Sequence, residues 1–186
     1  MSRSSSRALL SAALLACPLL AGAADFTLSS PDIRAGQPMS QQHEFNGFGC
    51  QGANLSPALE WRGAPAGTKS FAVTVFDPDA PTGSGWWHWV VVNLPATTTA
   101  LPQGAGSAGP GALPAGALQT RTDFGAPGFG GACPPVGDKA HRYVFTVHAL
   151  KVDRLDLPAD ASGALVGFNL HANSLGRASL TASYRR

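Results

Sequence analysis

The sequence predicts a mostly β fold with peripheral helices, an α+β arrangement in which one C-terminal helix is followed by a final strand. Glycine and proline are abundant, with 22 and 15 residues among 186, and both residue types are typical of turns between short strands. Three runs are apolar at consecutive positions and rich in β-branched and aromatic residues. Such runs belong to a sheet that is covered on both sides.

The predicted strands begin with two short segments, Phe26–Leu28 and Leu59–Trp61, which end in polar or glycine-rich turns. The three apolar runs follow at Ser70–Phe76, Trp89–Leu94 and Arg142–Leu150. Because these runs have no polar face, we expect them in the interior of the sheet.

Two segments between the strands are predicted to lack long regular structure. Residues 34–60 are expected to form polar turns that Met39, Phe45 and Phe48 anchor in the core. Residues 101–116 are rich in glycine and proline and are expected to form a surface loop.

A helix near the C-terminus is predicted from residues at helical spacing, namely Ala164, Leu165, Phe168, Leu170 and His171. Asp160 and Ser162 are candidate N-caps, and Asn173 and Gly176 are candidate stops. From there to Tyr184 small or apolar residues alternate with polar ones, which predicts a final strand.

Residues 1–23 have the features of a signal peptide. Arg3 and Arg7 form a basic region, a short apolar run follows, and small residues up to Ala23 form a cleavage site. The apolar run is too short to span a bilayer. We therefore expect an exported protein, periplasmic or secreted, whose residues 24–186 form a single domain.

The cysteines leave two questions open. A lipoprotein signal, with Cys17 as the modified residue, is the alternative to the cleaved signal peptide, although the residues around it fit that pattern poorly. Cys50 and Cys133 remain after cleavage. Two cysteines in an exported protein favour one disulfide, and two buried thiols are the alternative.

The charge balance excludes one class of partner. The chain has 13 basic and 11 acidic residues, and removal of Arg3 and Arg7 makes the mature protein neutral. A neutral protein without a basic surface stretch is not typical of nucleic-acid binding. No second long apolar run follows the leader, so the sequence predicts no transmembrane segment.

Four ionisable residues at the ends of the apolar runs form the candidate site: Asp77, His88, His141 and Tyr143. Side chains alternate along a strand, so His141 and Tyr143 share one face. The same alternation places His88 on the face of Val90 and Val92. Ten residues separate Asp77 from His88, and a hairpin-like return is expected to bring this carboxylate to this imidazole and favour the imidazolium form.

Imidazole and phenol donors in an apolar cleft suit a small anion such as a phosphate or carboxylate. Trp86 and Trp87 are candidate walls, and Pro81 and Pro135 are expected to stiffen the rim. The remaining histidines are interpreted as structural residues: His43, His148 and His171. No metal-binding spacing is present in the sequence, so we predict neither a metal nor a cofactor.

Several segments resemble the phosphatidylethanolamine-binding protein family. They are residues 77–81 (Asp-Pro-Asp-Ala-Pro), 86–93 (Trp-Trp-His-Trp-Val-Val-Val-Asn) and 133–143 (Cys-Pro-Pro-Val-Gly-Asp-Lys-Ala-His-Arg-Tyr). Residues 50–57 (Cys-Gln-Gly-Ala-Asn-Leu-Ser-Pro) are similar to the bacterial YbhB/YbcL-like, or Raf-kinase-inhibitor-like, branch. The likeness extends from about residue 26 to residue 184.

The resemblance implies packed antiparallel β-sheets and a pocket for phosphate-bearing groups. It assigns the four candidate residues to pocket positions, and Pro81, Trp86 and Pro135 to its walls. Two positions depart from the family pattern. Ala132 stands where a proline is common, and Phe129 stands where a tyrosine is common.

Three function classes follow for the sequence. The first is a non-enzymatic binding protein for a small anionic ligand or a phospholipid headgroup. The second is a hydrolase that uses Asp77 and His88 with Cys133 as the nucleophile, which a disulfide would disable. The third is an interaction protein, such as a protease inhibitor or a homodimer.

Overall fold

The computed structural model describes residues 25–107 and 113–186, so the predicted signal peptide and Cys17 lie outside the described residues. Within them, ten strands and one α-helix are present. The strands are β1 (Thr27–Ser29), β2 (Asn46–Gly47), β3 (Cys50–Gln51), β4 (Leu59–Arg62), β5 (Ser70–Asp77), β6 (Trp86–Pro95), β7 (Ala100–Leu101), β8 (Leu118–Gln119), β9 (His141–Leu150) and β10 (Ser174–Tyr184), and the helix is α1 (Gly163–Asn173). The fold is mostly β with antiparallel sheets, as the sequence predicts.

The central sheet has five strands in the order β10-β9-β5-β6-β8, and all neighbours are antiparallel. The three predicted apolar runs form its middle strands β9, β5 and β6. A second sheet has the order β1-β4-β7, and β2 pairs with β3 as a separate two-stranded ribbon. The three most apolar strands therefore lie at the centre of the larger sheet.

Two hydrophobic clusters cover opposite faces of the central sheet, which explains why its strands have no polar face. One cluster joins Trp89 and Phe145 to Leu59 and Trp61 of the smaller sheet. The other joins Val90 and Val92 of β6 to α1 through the buried residues Val166 and Leu170. None of the helical segments in the described residues is long and apolar enough to cross a membrane.

A β-bulge interrupts β6 at His88. In the β5–β6 pairing, Val75 lies opposite Trp89 and Phe76 lies opposite Trp87, so His88 is an extra residue without a partner on β5. Strict alternation, which places His88 on the face of Val90 and Val92, is therefore wrong. A bulge turns the extra side chain, and His88 lies on the opposite face, in contact with Tyr143 of β9.

The helix α1 begins after Ser162, whose hydroxyl accepts a hydrogen bond from the Leu165 amide at 3.2 Å. Ser162 rather than Asp160 is thus the N-cap. Of the residues that suggested the helix, Leu170 alone lies on its buried face, since Leu165 is 44% exposed, Phe168 is 72% exposed, and Ala164 and His171 are exposed as well. Two glycines of α1 explain this orientation.

Gly163 and Gly167 lie against the Trp87 indole of β6. A Cβ at position 163 would approach that ring to 2.4 Å, and one at position 167 would lie 3.8 Å from it. The helix therefore approaches the sheet along its glycine edge, which turns Phe168 outward. It continues directly into β10 at Ser174.

Candidate functional site

The segment Asp77-Pro78-Asp79 closes onto the first residues of β9. Asp77 Oδ1 accepts a hydrogen bond from the Asp79 amide at 2.8 Å, and this local turn aims its other oxygen at His141. Asp79 accepts three hydrogen bonds from Arg142, at 3.0 Å from the main-chain amide and at 2.8 Å and 3.0 Å from the guanidinium. The Arg142 guanidinium holds the pKa of Asp79 well below its usual range. The two aspartates thus hold two consecutive residues of β9.

The sequence analysis expects Asp77 to pair with His88, but in the structure Asp77 pairs with His141. Asp77 Oδ2 lies 2.8 Å from His141 Nδ1, and both side chains are buried. A carboxylate accepts, so Nδ1 carries the proton. The opposite ring nitrogen, Nε2, lies 3.4 Å from Asp138 Oδ2 at a more exposed position. Both β9 and β6 are direct neighbours of β5, and the Nδ1 atom of His88 is bonded to the Gly130 carbonyl instead of to Asp77.

His88 is oriented by a backbone carbonyl. Its Nδ1 donates to the Gly130 carbonyl at 2.7 Å, which leaves Nε2 as the nitrogen available to a ligand. Burial lowers the pKa of His88, against opposing effects of the Gly130 carbonyl and the Asp77 charge. Asp77 does favour the imidazolium form of His88, as expected, but desolvation outweighs this effect and the net change in the pKa is downward.

Two buried donors near these histidines have no hydrogen-bond partner in the described part of the chain, namely the Tyr143 hydroxyl and Trp86 Nε1. The Tyr143 side chain is 1% exposed, and burial raises its pKa above the ordinary value. Its ring meets that of His88 edge-on at 5.0 Å. Buried polar groups are nearly always hydrogen-bonded. Two unsatisfied donors from residues of the same cavity therefore suggest that a ligand supplies the missing acceptors.

These groups line one recess of about 170 Å³, called the recess below. It contains seven of the eight residues that the sequence analysis selected as pocket or wall residues: Asp77, Pro81, Trp86, His88, Pro135, His141 and Tyr143. The structure therefore brings the candidate residues together. Trp87 is the one candidate wall residue that lies elsewhere, on the opposite face of the sheet beneath α1.

Sequence reasoning missed two aromatic residues of the recess. Phe124 meets both Trp86 and His88 edge-on, with ring centroids 5.4 Å and 5.3 Å apart. Phe48, predicted as a core anchor, is 71% exposed at the mouth and stacks on Phe124 at 5.9 Å. Both lie in irregular loops, so no periodicity marks them. The one indirect sign in the sequence is the glycine at position 130. It is explained only by the structure, in which a Cβ there would lie 2.3 Å from the Phe124 ring.

A disulfide joins the rim of the recess to the ribbon β2–β3. Cys50 and Cys133 are bonded with a Cα–Cα distance of 5.9 Å and a sequence separation of 83 residues. Cys133 also lines the recess. In this state Cys133 has no thiol, so it is not the nucleophile that the hydrolase alternative requires.

The arrangement offers hydrogen-bond donors but no recognisable metal centre. In residues 25–107 and 113–186, no group of three or more His, Cys, Asp or Glu side chains is placed to hold a metal ion. The indole of Trp86 and the phenol of Tyr143 are neutral donors, whereas Nε2 of the neutral His88 ring can only accept, because Nδ1 carries the proton. Such a set of groups suits a small polar ligand that has both bare oxygens, which accept from the two donors, and a protonated oxygen, which donates to His88.

Sequence comparisons find close relatives among bacterial proteins. The UPF0098 protein YbhB of Escherichia coli (strain K12) is 61% identical over 157 residues, covering 84% of this chain and 98% of that protein. The UPF0098 protein YbcL of the same organism is 57% identical over 164 residues, covering 88% and 90%. The putative lipoprotein LppC of Mycobacterium tuberculosis (strain H37Rv) is 35% identical over 158 residues, covering 85% and 71%.

The fold and a family model agree with these relatives. The crystal structure of E. coli YbcL, described as a member of the mammalian PEBP family, superposes with a TM-score of 0.86 at 56% identity and covers 88% of this chain and 99% of that one. The model of the family "Phosphatidylethanolamine-binding protein" matches residues 29–185, which include the whole central sheet, α1 and every residue of the recess. The chain belongs to the phosphatidylethanolamine-binding protein family.

Proposed function

We propose that the protein binds a small phosphate-bearing ligand, such as a phospholipid headgroup, in the recess and does not transform it chemically. The observation that carries this proposal is the pair of buried, unpartnered donors, Tyr143 Oη and Trp86 Nε1, beside His88 and His141. A buried donor without a partner costs about 1–3 kcal/mol. A ligand oxygen that accepts from these donors would recover that free energy on binding.

The shape of the recess supports a small polar group rather than a large apolar one. Its volume of about 170 Å³ is below the range of roughly 300–1,000 Å³ that drug-sized ligands occupy. Pro81 and Pro135 line it, and prolines restrict backbone motion. The recess is thus expected to keep its shape without a ligand. Exposed Phe48 and Val136 near the mouth can contact whatever part of the ligand extends outward.

The chain provides a matched pair of variants for the test, since it has two tyrosines. Tyr143→Phe removes only the hydroxyl of the recess, and Tyr184→Phe removes a hydroxyl on β10 outside it. We expect phosphoethanolamine to raise the melting temperature of the wild type and of Tyr184→Phe. For Tyr143→Phe we expect an affinity about tenfold weaker, as for the loss of one hydrogen bond to a charged group.

Tyr143→Phe itself should fold well, because it deletes a buried hydroxyl that has no partner. Inorganic phosphate in a parallel titration distinguishes recognition of the phosphate from recognition of the rest of the headgroup. Equal ligand stabilisation in both tyrosine variants would rule out the recess as the binding site.

The hydrolase alternative lacks its predicted nucleophile while the disulfide is present. We therefore expect no turnover of esters or phosphoesters by the oxidised protein. The interaction alternatives, protease inhibition and homodimer formation, stay predictions from the sequence.

We further propose that the protein is exported. The basic and apolar pattern of residues 1–23 supports this, and so does a disulfide, a bond that persists mainly outside the cytosol. N-terminal sequencing of the protein from an extracytoplasmic fraction should find a chain that begins at residue 24. An intact N-terminus in a cytosolic fraction, or lipid on Cys17, would contradict cleavage at this site.

A further inference from the structure

A second and larger cavity lies on the opposite face of the central sheet. This outer groove runs between α1 and β10 and has a volume of about 710 Å³. Its floor is the outward face of β5 and β9, formed by Thr74, Phe76, Val144, Thr146 and His148. The floor is open because α1 covers only the part of the sheet near Val90 and Val92.

The strand register orders the groove floor into an apolar end and a polar end. Phe76 lies opposite Val144, with the Trp87 ring 4.7 Å from that of Phe76. At the other end, His148 lies opposite Arg177 of β10. His148 is four positions beyond Val144 along β9, a distance of about 13 Å at a rise of roughly 3.3 Å per residue.

Hydroxyl groups connect the two ends. Thr146 Oγ1 lies 2.9 Å from Ser179 Oγ, and Thr74 Oγ1 lies 3.2 Å from His148 Nε2. Thr74 and Thr146 are themselves buried. Burial, followed by the charge of Arg177, lowers the pKa of His148 to about 4, so its ring is neutral near pH 7. The polar end is therefore ordered by hydrogen bonds and carries its charge on Arg177.

The side chains that line the groove include basic residues but no acidic ones. No aspartate or glutamate lines it, and Arg177 and His171 are its ionisable residues besides His148. Arg177 forms no ion pair with a carboxylate in the described residues. An unpaired guanidinium at the rim of an apolar cavity matches a carboxylate, which it can hold by two parallel hydrogen bonds.

We propose that the outer groove is a second binding site, separate from the recess, for a single-chain amphipathic carboxylate. Its carboxylate lies against Arg177 and the hydroxyls at the polar end, and its apolar body extends over Val144 and Phe76 toward Trp87. The distance between the two ends fits an extended chain of about ten carbon atoms, at roughly 1.3 Å each along the axis. The volume of the groove lies within the usual range of small-molecule sites.

Isothermal titration of the full mature protein with decanoate, below its micelle-forming concentration, tests this site. We expect saturable 1:1 binding and an affinity about tenfold weaker in Arg177→Gln, since that variant loses a charge-assisted pair. Decanol, which has the same apolar body without the charge, should bind the wild type and Arg177→Gln with equal, weaker affinity.

Gly167 offers a blocking variant that does not require a backbone change. It lies in α1 and lines the groove, and a Cβ there makes only ordinary contact with the Trp87 ring. Gly167→Leu should fill the groove and abolish decanoate binding, and Gly167→Ala should reduce it little. Tyr143→Phe, which alters only the recess, should leave decanoate affinity unchanged.

Three outcomes would overturn the proposal. They are the absence of saturable decanoate binding, equal affinity in the wild type, Arg177→Gln and Gly167→Leu, and loss of binding in Tyr143→Phe alone. The last would place decanoate in the recess instead of the groove.

Discussion

At the scale of residues, two aspartates separated by one proline hold two neighbouring residues in different ways. Asp77 is buried and fixes the proton of His141 on Nδ1, whereas Asp79 binds the guanidinium and amide of Arg142 near the surface. The sequence identified Asp77 and His141 as site residues. It could not give their pairing, because β5 lies between β6 and β9 and each of these strands carries a histidine, so the partner of Asp77 depends on tertiary contacts such as the bond from His88 to the Gly130 carbonyl.

A half-buried histidine outside the recess, His148, makes stability depend on pH. The pKa of His148 falls from an ordinary value of 6.5 to about 4 in the folded protein. The unfolded chain therefore binds the proton more tightly, and the free energy of unfolding falls as the pH drops from about 6.5 through 4. By the factor of 1.36 kcal/mol per pKa unit, His148 contributes at most about 3 kcal/mol to this loss.

His148→Gln measures this contribution, since glutamine stays neutral and its amide can still bond to Thr74. Urea unfolding at several pH values should give a smaller loss of stability between pH 6.5 and 4 for the variant than for the wild type. Parallel curves for the two proteins would show that His148 titrates normally in the folded state.

At the scale of elements, the strands followed from composition and the details that place the site did not. The runs at β5, β6 and β9 are predicted by their β-branched and aromatic residues. The bulge at His88 has no local sequence signal, since its neighbours Trp87 and Trp89 continue the strand pattern on both sides. The alternation rule consequently gave the wrong face for His88, whereas the resemblance to a family grouped it with the other residues that line the recess.

The helix α1 was likewise predicted from the sequence only in part. Its existence and cap followed from spacing, but its buried face is set by the contact of Gly163 and Gly167 with Trp87, a tertiary contact between distant parts of the chain. Apolar residues alone favoured the side that carries Leu165 and Phe168, which the structure leaves exposed.

The two glycines give opposite predictions for the same substitution. In Gly163→Ala the new Cβ would lie 2.4 Å from the Trp87 ring, so we expect a destabilisation of about 1–3 kcal/mol, as for other overpacked sites. In Gly167→Ala the new Cβ would lie at 3.8 Å, and the higher helix propensity of alanine should stabilise the protein by up to about 1 kcal/mol.

Chemical denaturation of both variants and the wild type tests this pair of predictions. Equal changes in the two variants would mean that Trp87 does not discriminate between the two positions, and that the orientation of α1 has another cause.

At the scale of the whole molecule, one sheet carries different chemistry on its two faces. The residues of β9 divide by alternation, with His141 and Tyr143 in the recess and Val144, Thr146 and His148 in the outer groove. Composition and strand pattern predicted this division for β9, which has no bulge. They could not predict that loops bring Phe124 and the disulfide-linked Cys133 to the same recess, because loop paths leave no periodic pattern.

The central claim is that two imidazoles, a phenol and an indole from separate strands form one binding recess. Nitrogen-15 NMR of the histidine rings during a phosphoethanolamine titration tests it most directly. His43, bonded to the Leu55 carbonyl at 2.7 Å, and His148, on the other face, are internal controls. We predict that the ring signals of His88 and His141 shift together with one dissociation constant while those of His43 and His148 stay fixed. Saturating ligand that leaves His88 and His141 unshifted, or that shifts His148 instead, would contradict the claim.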